Sequence, residues 1–217
     1  MSKRWFTSDT HYGHRNVIKY CNRPYKDIDE MHAAMIEQWN KQVAPTDHVY
    51  HLGDFSLNPK WSKLIVPMLN GTKELISGNH DATFPFPWNR KQVKMVQRYV
   101  EDGWKAVHQQ LKLTLKDGTN VLLSHLPYAP RGDKDRNNDV RYLEFRPKDQ
   151  GMILLHGHLH KRYKKLGRMI DVGFDGGLKL LSEDDILDLI HSKEEFIPSE
   201  ITNWYGSKPS QGKDGPG

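Results

Sequence analysis

Seven residues near the start of the chain, "SDTHYGH" at 8–14, contain three side chains that commonly bind metal ions. Asp9 and His11 lie two residues apart after a short apolar segment, and His14 follows soon after. A carboxylate combined with imidazoles is a typical ligand set for a divalent transition-metal ion. An ordinary polar turn after a strand can have the same composition, so the interpretation depends on further ligands elsewhere in the chain.

Metal-binding side chains also follow four other segments that we predict to be buried strands. These segments end near Asp54, Asn79, His125 and the pair His158 and His160. In α/β sheets, ligands bind at the carboxyl ends of the strands, where side chains from neighbouring strands meet. We therefore expect one cluster of candidate metal ligands, comprising Asp9, His11, Asp54, Asn79, His125, His158 and His160.

The residue types favour a centre with two divalent cations. Two cations about 3.5–4 Å apart require a bridging carboxylate, with nitrogen and oxygen ligands on either side. Asp54 is the predicted bridge, because Gly53 permits a sharp turn before it. The predicted ligands of one ion are Asp9, His11 and His160. Those of the other ion are Asn79, His125 and His158. This mixture of imidazole and carboxylate favours manganese and also suits iron, nickel or zinc.

Such a centre would convert a bound water into a hydroxide nucleophile near neutral pH and would neutralise charge on a phosphoryl oxygen. The reaction then still requires a proton for the leaving group. His80, next to Asn79 but outside the ligand set, is the predicted proton donor. Asp81 is predicted to orient that imidazole and to favour its charged form.

Five motifs, "SDTHYGH", "HLGDF", "SGNHD", "LLSHLP" and "LLHGHLH", occur in this order between about residues 4 and 175. Together they resemble the signature motifs of the calcineurin-like metallophosphoesterases, especially the compact stand-alone members of bacteria and phages. The resemblance implies the same seven ligands and makes His80 the leaving-group acid. It also implies an α/β fold of two packed mixed β-sheets flanked by helices, a four-layer sandwich. One departure is that "GDFSLN" offers no second acidic residue after Asp54.

The hydrophobic pattern alternates strands with helices, which indicates an α/β class independently of the resemblance. The predicted strands cover 4–8, 48–52, 73–77, 151–160 and 167–173. Asp117-Gly118 predicts a hairpin over 111–125. The predicted helices cover 28–43, 59–69, about 88–100 and a final segment from the N-cap Ser182 to about 191.

The 217 residues suit a single domain over 1–205, followed by a Gly/Pro/Ser-rich tail at 206–217 that we predict to be disordered. No apolar run approaches the ~20 residues needed to span a membrane. The start of the chain lacks a signal-peptide pattern, and Cys21 is the sole cysteine, so we expect a cytoplasmic protein without an internal disulfide. The net charge of +5 weakly favours phosphate-bearing partners, including nucleic acid.

The polar segment 127–149 joins two of the predicted ligand-bearing strands, so both of its ends lie near the expected metals. We predict that Arg141 and Arg146 contact phosphate oxygens of the substrate, and Tyr142 or Phe145 could stack on a base. The alternative is a solvated loop whose arginines pair with its own acidic residues. The sequence leaves both interpretations open.

Two further histidines have competing interpretations. His14 either contacts the substrate, at its phosphate or leaving group, or caps the short helix that follows. His156 precedes "GHLH" inside an apolar run, where a buried, hydrogen-bonded core histidine is the better interpretation than a ligand.

The favoured function is a phosphodiesterase acting on a small nucleotide-like or cyclic-nucleotide substrate. A diester has a poor leaving group that needs protonation, which His80 could provide. The alternatives are a phosphomonoesterase or a nuclease using the same site, or a non-catalytic binding scaffold. The complete ligand set argues against the scaffold, and the sequence leaves the oligomeric state open.

Overall fold

Ten β-strands form two five-stranded mixed sheets in the computed structural model, which describes residues 2–85, 90–128, 142–160 and 164–193. The strands are β1 (Arg4–Thr7), β2 (His48–His51), β3 (Thr72–Ile76), β4 (Ala106–His108), β5 (Gln110–Thr114), β6 (Asn120–Ser124), β7 (Ile153–His156), β8 (Lys165–Leu166), β9 (Met169–Asp171) and β10 (Leu181–Ser182). The helices are α1 (Val17–Tyr20), α2 (Ile28–Gln42), α3 (Lys60–Ile65), α4 (Arg90–Glu101) and α5 (Glu183–His191). Short 3-10 turns cover Val66–Met68, Leu143–Phe145 and Phe174–Gly176.

Each sheet has a parallel centre and at least one antiparallel edge strand. The first sheet has the strand order β10-β1-β2-β3-β4, in which β1 to β4 are parallel and β10 is antiparallel. The second has the order β5-β6-β7-β9-β8, in which β6, β7 and β9 are parallel. Parallel neighbours end at the same edge of a sheet, so residues that follow them lie close together. The predicted α/β fold with two mixed sheets is confirmed.

Apolar side chains from the two sheets meet in one shared core. Phe6 of the first sheet packs in the same cluster as Leu123 and Leu155 of the second, and all three are fully buried. Ile186 of α5 completes this cluster. Burial of each such side chain contributes about 1.5–3 kcal/mol to the free energy of folding, so this layer fixes one sheet against the other.

Helix α2 covers the opposite face of the first sheet. Its buried residues Met31, Met35 and Trp39 are spaced four apart, and they share a cluster with Val49 of β2. The carboxylate of Asp27 caps the helix by accepting hydrogen bonds from the amides of its first turn. The predicted helix forms because one side of it is buried against the sheet and because its first turn has a side-chain acceptor.

The structure departs from the predicted elements where the chain bends. The predicted helix at 59–69 becomes α3 followed by a 3-10 turn, because Pro67 has no N–H to continue the helix. The predicted strand at 151–160 is shortened to β7, which ends before Gly157. Strands β4, β8 and β10 were not predicted, since two or three residues are too few to show a period of two.

Two local predictions are confirmed in detail. Ser182 and Asp185 form a capping box at the start of α5, and β5 pairs with β6 around the predicted hairpin turn. The tail at 206–217 lies outside the described residues, so that boundary stays a prediction. Among the helices that the structure describes, none is long and apolar enough to cross a bilayer.

Candidate metal centre

The carboxyl ends of the parallel strands from both sheets meet at one place. Ser8, directly after β1, forms a bridge with Gly173, which follows β9 of the second sheet. The amide of Phe174 donates to the Ser8 carbonyl at 2.8 Å. This connection brings the residues after β1, β2 and β3 together with those after β6 and β7. All seven candidate ligands lie in these connections.

The backbone at this edge is strained in a specific pattern. Eight non-glycine residues in the described ranges have positive φ, and five of these are candidate ligands. An L-residue in the left-handed region costs roughly 1–2 kcal/mol, and such strain concentrates where a functional geometry requires it. The five ligands, with φ between 43° and 73°, are Asp9, His11, Asp54, His158 and His160.

Two glycines allow the turns to approach closely. A Cβ atom on Gly78 would lie 2.3 Å from the amide nitrogen of Asp54. A Cβ atom on Gly157 would lie 1.8 Å from Oγ of Ser8 and 2.4 Å from Oδ2 of Asp9. Any larger residue would push these strand ends apart, which explains the glycines in "SGNHD" and "HGHLH".

The first group of ligand atoms surrounds Asp9. One ligand atom each from Asp9, His11 and His160 lies within 4.8 Å of the others. The two Nε2 atoms of His11 and His160 lie 4.0 and 3.8 Å from Oδ1 of Asp9. Both ring nitrogens of His11 are buried without a hydrogen bond to any described residue. Buried nitrogens without a partner fit a site that receives a metal ion.

The second group surrounds Asp54, whose carboxylate faces ligands of both groups. Its Oδ2 lies 3.7 Å from Nε2 of His11, and its Oδ1 lies 3.4 Å from Nε2 of His125. The same His125 nitrogen lies 3.1 Å from Oδ1 of Asn79. Nδ1 of His125 is 2.8 Å from the carbonyl oxygen of Leu52 and donates to it, which leaves Nε2 for a metal ion.

His158 lies beside both groups. Its ring packs edge-to-face on His125 with centroids 5.3 Å apart. Its backbone amide donates to both carboxylate oxygens of Asp9, at 3.0 and 3.2 Å. The hydroxyl of Ser8 also donates to Asp9. The sequence-predicted ligands are therefore all close together in the structure.

The electrostatics of the cluster follow from burial of its carboxylates. Burial raises the pKa of Asp9 to about 6, although His160 and His125 oppose that change. Burial lowers the pKa of His11 and His158 well below the usual value, so both are neutral and able to bind a cation. Burial also disfavours charge on His125, but Asp54 outweighs it and raises the pKa to about 9. The buried carboxylates thus attract positive charge, which divalent cations supply.

A buried ion pair that the sequence did not reveal supports His160. Arg23 donates to both carboxylate oxygens of Asp175, at 2.7 and 3.1 Å, and to the backbone carbonyls of Asp9 and Thr10. Oδ2 of Asp175 is 2.8 Å from Nδ1 of His160. No motif or spacing marks Arg23 or Asp175 in the sequence, since they are 152 positions apart.

Asp81 has a different partner from the predicted one. Its carboxylate accepts hydrogen bonds from four backbone amides, those of Asp54 and Gly78 at 2.8 and 2.9 Å and those of Phe55 and Ser56 at 3.0 and 3.4 Å. Among the described residues it makes no hydrogen bond to the His80 imidazole, so its role in orienting His80 stays a prediction. Asp81 holds the turn that carries Asp54 against the turn that carries Asn79.

His80 and His14 lie at the rim of the cluster. The His80 side chain is 47% exposed, with Nε2 3.9 Å from Oδ2 of Asp54. The His14 ring packs edge-to-face on His11 with centroids 5.5 Å apart, and burial lowers its pKa. Only the backbone carbonyl of His14 bonds to the following helix, through Val17. The ring of His14 thus contacts both His11 of the cluster and Tyr20 of α1, with centroids 6.0 Å apart for the latter, and it makes no capping hydrogen bond to the described helix.

The predicted substrate segment is described from Tyr142 onward, so Arg141 lies outside the described residues. Arg146 is buried, and its charge helps to lower the pKa of His158. Its contact with substrate stays a prediction. His156 is fully buried, and its Nδ1 is 2.7 Å from the Gly157 carbonyl, which confirms it as a core histidine.

Comparison with known proteins agrees with this geometry. Residues 4–172 match the family described as the calcineurin-like phosphoesterase superfamily domain. The chain is 36% identical over 210 residues to "Gene 66 protein" of Mycobacterium phage L5, covering 90% of this chain and 98% of that protein. It is 35% identical over 207 residues to the protein of the same name from Mycobacterium phage D29, covering 91% and 100%.

A solved structure of a protein of unknown function from Aquifex aeolicus has the same fold. The two structures superpose with a TM-score of 0.63 at 24% identity, over 87% of this chain and 100% of that one. The family match covers all five motifs and most of the chain. This chain therefore belongs to the calcineurin-like phosphoesterase superfamily.

Proposed function

We propose that this protein is a dinuclear-metal phosphodiesterase. The observation that carries the proposal is the approach of His11 and His125 to the carboxylate of Asp54, together with a left-handed backbone at five of the candidate ligands, Asp54 among them. Structures rarely maintain several strained residues in one place without a functional requirement. The mixture of imidazole, carboxylate and amide donors favours manganese over magnesium, which prefers an all-oxygen set.

The proposed ligands divide between two ions that share Asp54. The first ion would be held by Asp9, His11 and His160. The second would be held by Asn79, His125 and His158. When bound, the two ions would activate water at neutral pH and neutralise the charge of the phosphoryl group. The residues of the chain then have to supply orientation, phosphate contacts and a proton.

His80 is the proposed donor of that proton to the leaving group. Its position supports the role, because the side chain is exposed at the rim while its own backbone amide donates to Oδ1 of Asp54 at 2.9 Å. The amide bond fixes the residue beside the reaction centre, and the exposed ring can exchange protons with solvent. A diester leaving group is a strong base, so a positioned acid accelerates its departure by about 10²–10⁴-fold.

His14 and Arg146 are the proposed contacts for the remaining phosphoryl oxygens. The His14 ring lies beside His11, and the charge of Arg146 adds to burial in lowering the pKa of His158. Arg141 remains a predicted contact on the residues that the structure does not describe. We propose a small nucleotide-like diester as the substrate, since these contacts suit one phosphoryl group.

The proposal is tested by hydrolysis of a chromogenic phosphodiester and the matching monoester by the manganese-loaded protein. Each assay needs a chelator control, the His80→Ala variant and a His191→Ala variant, whose side chain is 67% exposed on α5. We expect chelator-sensitive diester cleavage that is unchanged in His191→Ala. The loss in His80→Ala should reach at least about 100-fold for an added diester with an alkoxide leaving group, and it should be smaller for the chromogenic diester, whose phenolate leaves without protonation.

The outcomes separate the alternatives. Faster cleavage of the monoester than of the diester would reassign the site as a phosphomonoesterase. Cleavage of a polynucleotide in preference to both would make the protein a nuclease. A folded, metal-loaded protein that cleaves none of them would contradict the proposal and favour a binding scaffold.

A further inference from the structure

A cavity of about 210 Å³ lies beside the candidate metal centre. One wall is formed by Ser77 and Ser124, at the carboxyl ends of β3 and β6, together with the proposed ligand His125. The cavity and the metal centre therefore share a side chain. A group that occupies the cavity is adjacent to the phosphoryl group that the ligands would hold.

The aromatic rings of Phe84 and Phe145 also line the cavity. The ring of Phe84 packs against Phe145 with centroids 5.1 Å apart and against Tyr142 with centroids 5.5 Å apart. Phe84 is buried, and its carbonyl accepts a hydrogen bond from Gln92 at 2.7 Å. This bond holds the Phe84 backbone in place. The apolar lining residues are Phe84, Pro85, Leu126 and Phe145.

Polar groups line the rest of the cavity. Gln109 uses one N–H of Nε2 to donate to the carbonyl of Thr83 at 3.3 Å, which leaves its side-chain oxygen as an acceptor and its second N–H as a donor for a ligand. Glu144 also lines the cavity, and an ionised carboxylate only accepts hydrogen bonds. Aromatic walls with hydrogen-bond acceptors suit a flat ring that carries donors on its edge. A carboxylate also repels any second phosphate at this place.

We propose that this cavity binds the nucleobase of a mononucleotide-sized substrate. Through Phe84 and Phe145 the protein would bind a nucleotide more tightly than the same sugar phosphate without its base. The inference rests on the proposed function for the phosphoryl group and adds the class of the organic group. The cavity is smaller than the 300–1,000 Å³ typical of drug-sized ligands, so it accommodates one ring system. Stacking on aromatic side chains is tolerant of base identity and contributes to affinity for every base.

The test is direct titration of the manganese-loaded protein with adenosine 5′-monophosphate and with ribose 5-phosphate, followed by calorimetry. These probes share the phosphate and sugar and differ only in the base. We expect the intact protein to bind adenosine 5′-monophosphate at least about tenfold more tightly than ribose 5-phosphate. Phe145→Ala and Phe84→Leu should each weaken binding of the nucleotide about tenfold. Binding of ribose 5-phosphate should change less than twofold in the variants.

Leu143→Ala is the matched control, because Leu143 is 52% exposed in the same 3-10 turn and does not line the cavity. Equal affinity of the intact protein for the two probes would overturn the inference, as would unchanged nucleotide binding in both phenylalanine variants. The binding measurement requires no turnover. A preference for the base in a protein that hydrolyses no diester would support the subsite and contradict only the proposed reaction.

Discussion

Nδ1 of His160 and the carboxylate of Asp175 lie 2.8 Å apart, inside a network that ends at the buried guanidinium of Arg23. Burial by itself would raise the pKa of Asp175. The hydrogen bonds and charges of His160 and Arg23 outweigh burial, so the pKa is lowered. The ionised carboxylate accepts the Nδ1 proton, which leaves Nε2 of His160 directed at Asp9. A carboxylate behind a metal-binding histidine fixes both the tautomer and the ring orientation.

We expect Asp175→Asn to weaken manganese binding by about 10–100-fold, because the neutral amide cannot balance Arg23 and still accept from His160. Calorimetric titration of the metal-free protein with Mn²⁺ measures the effect, and excess metal should restore activity. Asp188→Asn on the exposed side of α5 is the control. Equal metal affinity of the Asp175→Asn variant and the intact protein would refute this role.

Asp81→Ala should destabilise the protein by about 3–5 kcal/mol, because it leaves four amides at the buried turn without their acceptor. Urea denaturation of the metal-free protein measures the free energy of unfolding. Asp184→Ala, at a side chain that is 74% exposed, should change it by less than about 0.5 kcal/mol. If Asp81→Ala kept its stability and altered only the pH dependence of the reaction, the residue would instead act on His80.

The buried histidine His51 should make the metal-free protein sensitive to acid. Its Nε2 is 2.9 Å from the Thr10 hydroxyl, its Nδ1 has no hydrogen bond among the described residues, and burial lowers its pKa to about 3. The unfolded chain binds a proton below a pKa of about 6.5, whereas the folded chain does not until far lower pH. Stability is therefore lost as pH falls from about 6.5 towards 3.

Between pH 7 and pH 5 this single group should reduce the free energy of unfolding by about 2 kcal/mol. We expect His51→Gln, which cannot titrate, to lose about 2 kcal/mol less over that interval than the intact protein. Urea denaturation at the two pH values measures the difference. His191→Gln should behave as the intact protein does, and an equal loss in His51→Gln would show that His51 does not carry the effect.

Gly157→Ala should disrupt the first ligand group without touching a ligand. The added methyl would overlap Ser8 and Oδ2 of Asp9, so the turn must shift at a cost of about 1–3 kcal/mol. Metal content after dialysis should fall, and the urea midpoint should decrease. Gly177→Ala is the control, because its new methyl would meet only the Lys179 side chain at 3.8 Å. Matching metal content in the two variants would contradict the close-approach explanation.

The sequence alone predicted the class of fold and the candidate ligands that the structure brings together. Candidate ligands such as Asp9, Asp54 and His125 follow apolar strand segments directly, and parallel strands end at a common edge. Local chemistry also determined the capping box at Ser182 and the hairpin at Asp117-Gly118, because both depend on residues only a few positions apart. These features could be predicted since each is encoded within one short segment.

The tertiary structure alone decided how the ligands are supported. Arg23 and Asp175 become partners only when the ends of β1 and β9 meet, and neither segment indicates the other. The Asp81 carboxylate accepts hydrogen bonds from backbone amides of the neighbouring turn, because Gly78 lets that turn approach. Its position in "GNHD" had instead suggested His80 as its partner. Such contacts join residues far apart in the chain and depend on the packing of two whole sheets. The pattern along each segment therefore indicates the candidate ligands, while the orientation and charge balance of their side chains arise from the fold.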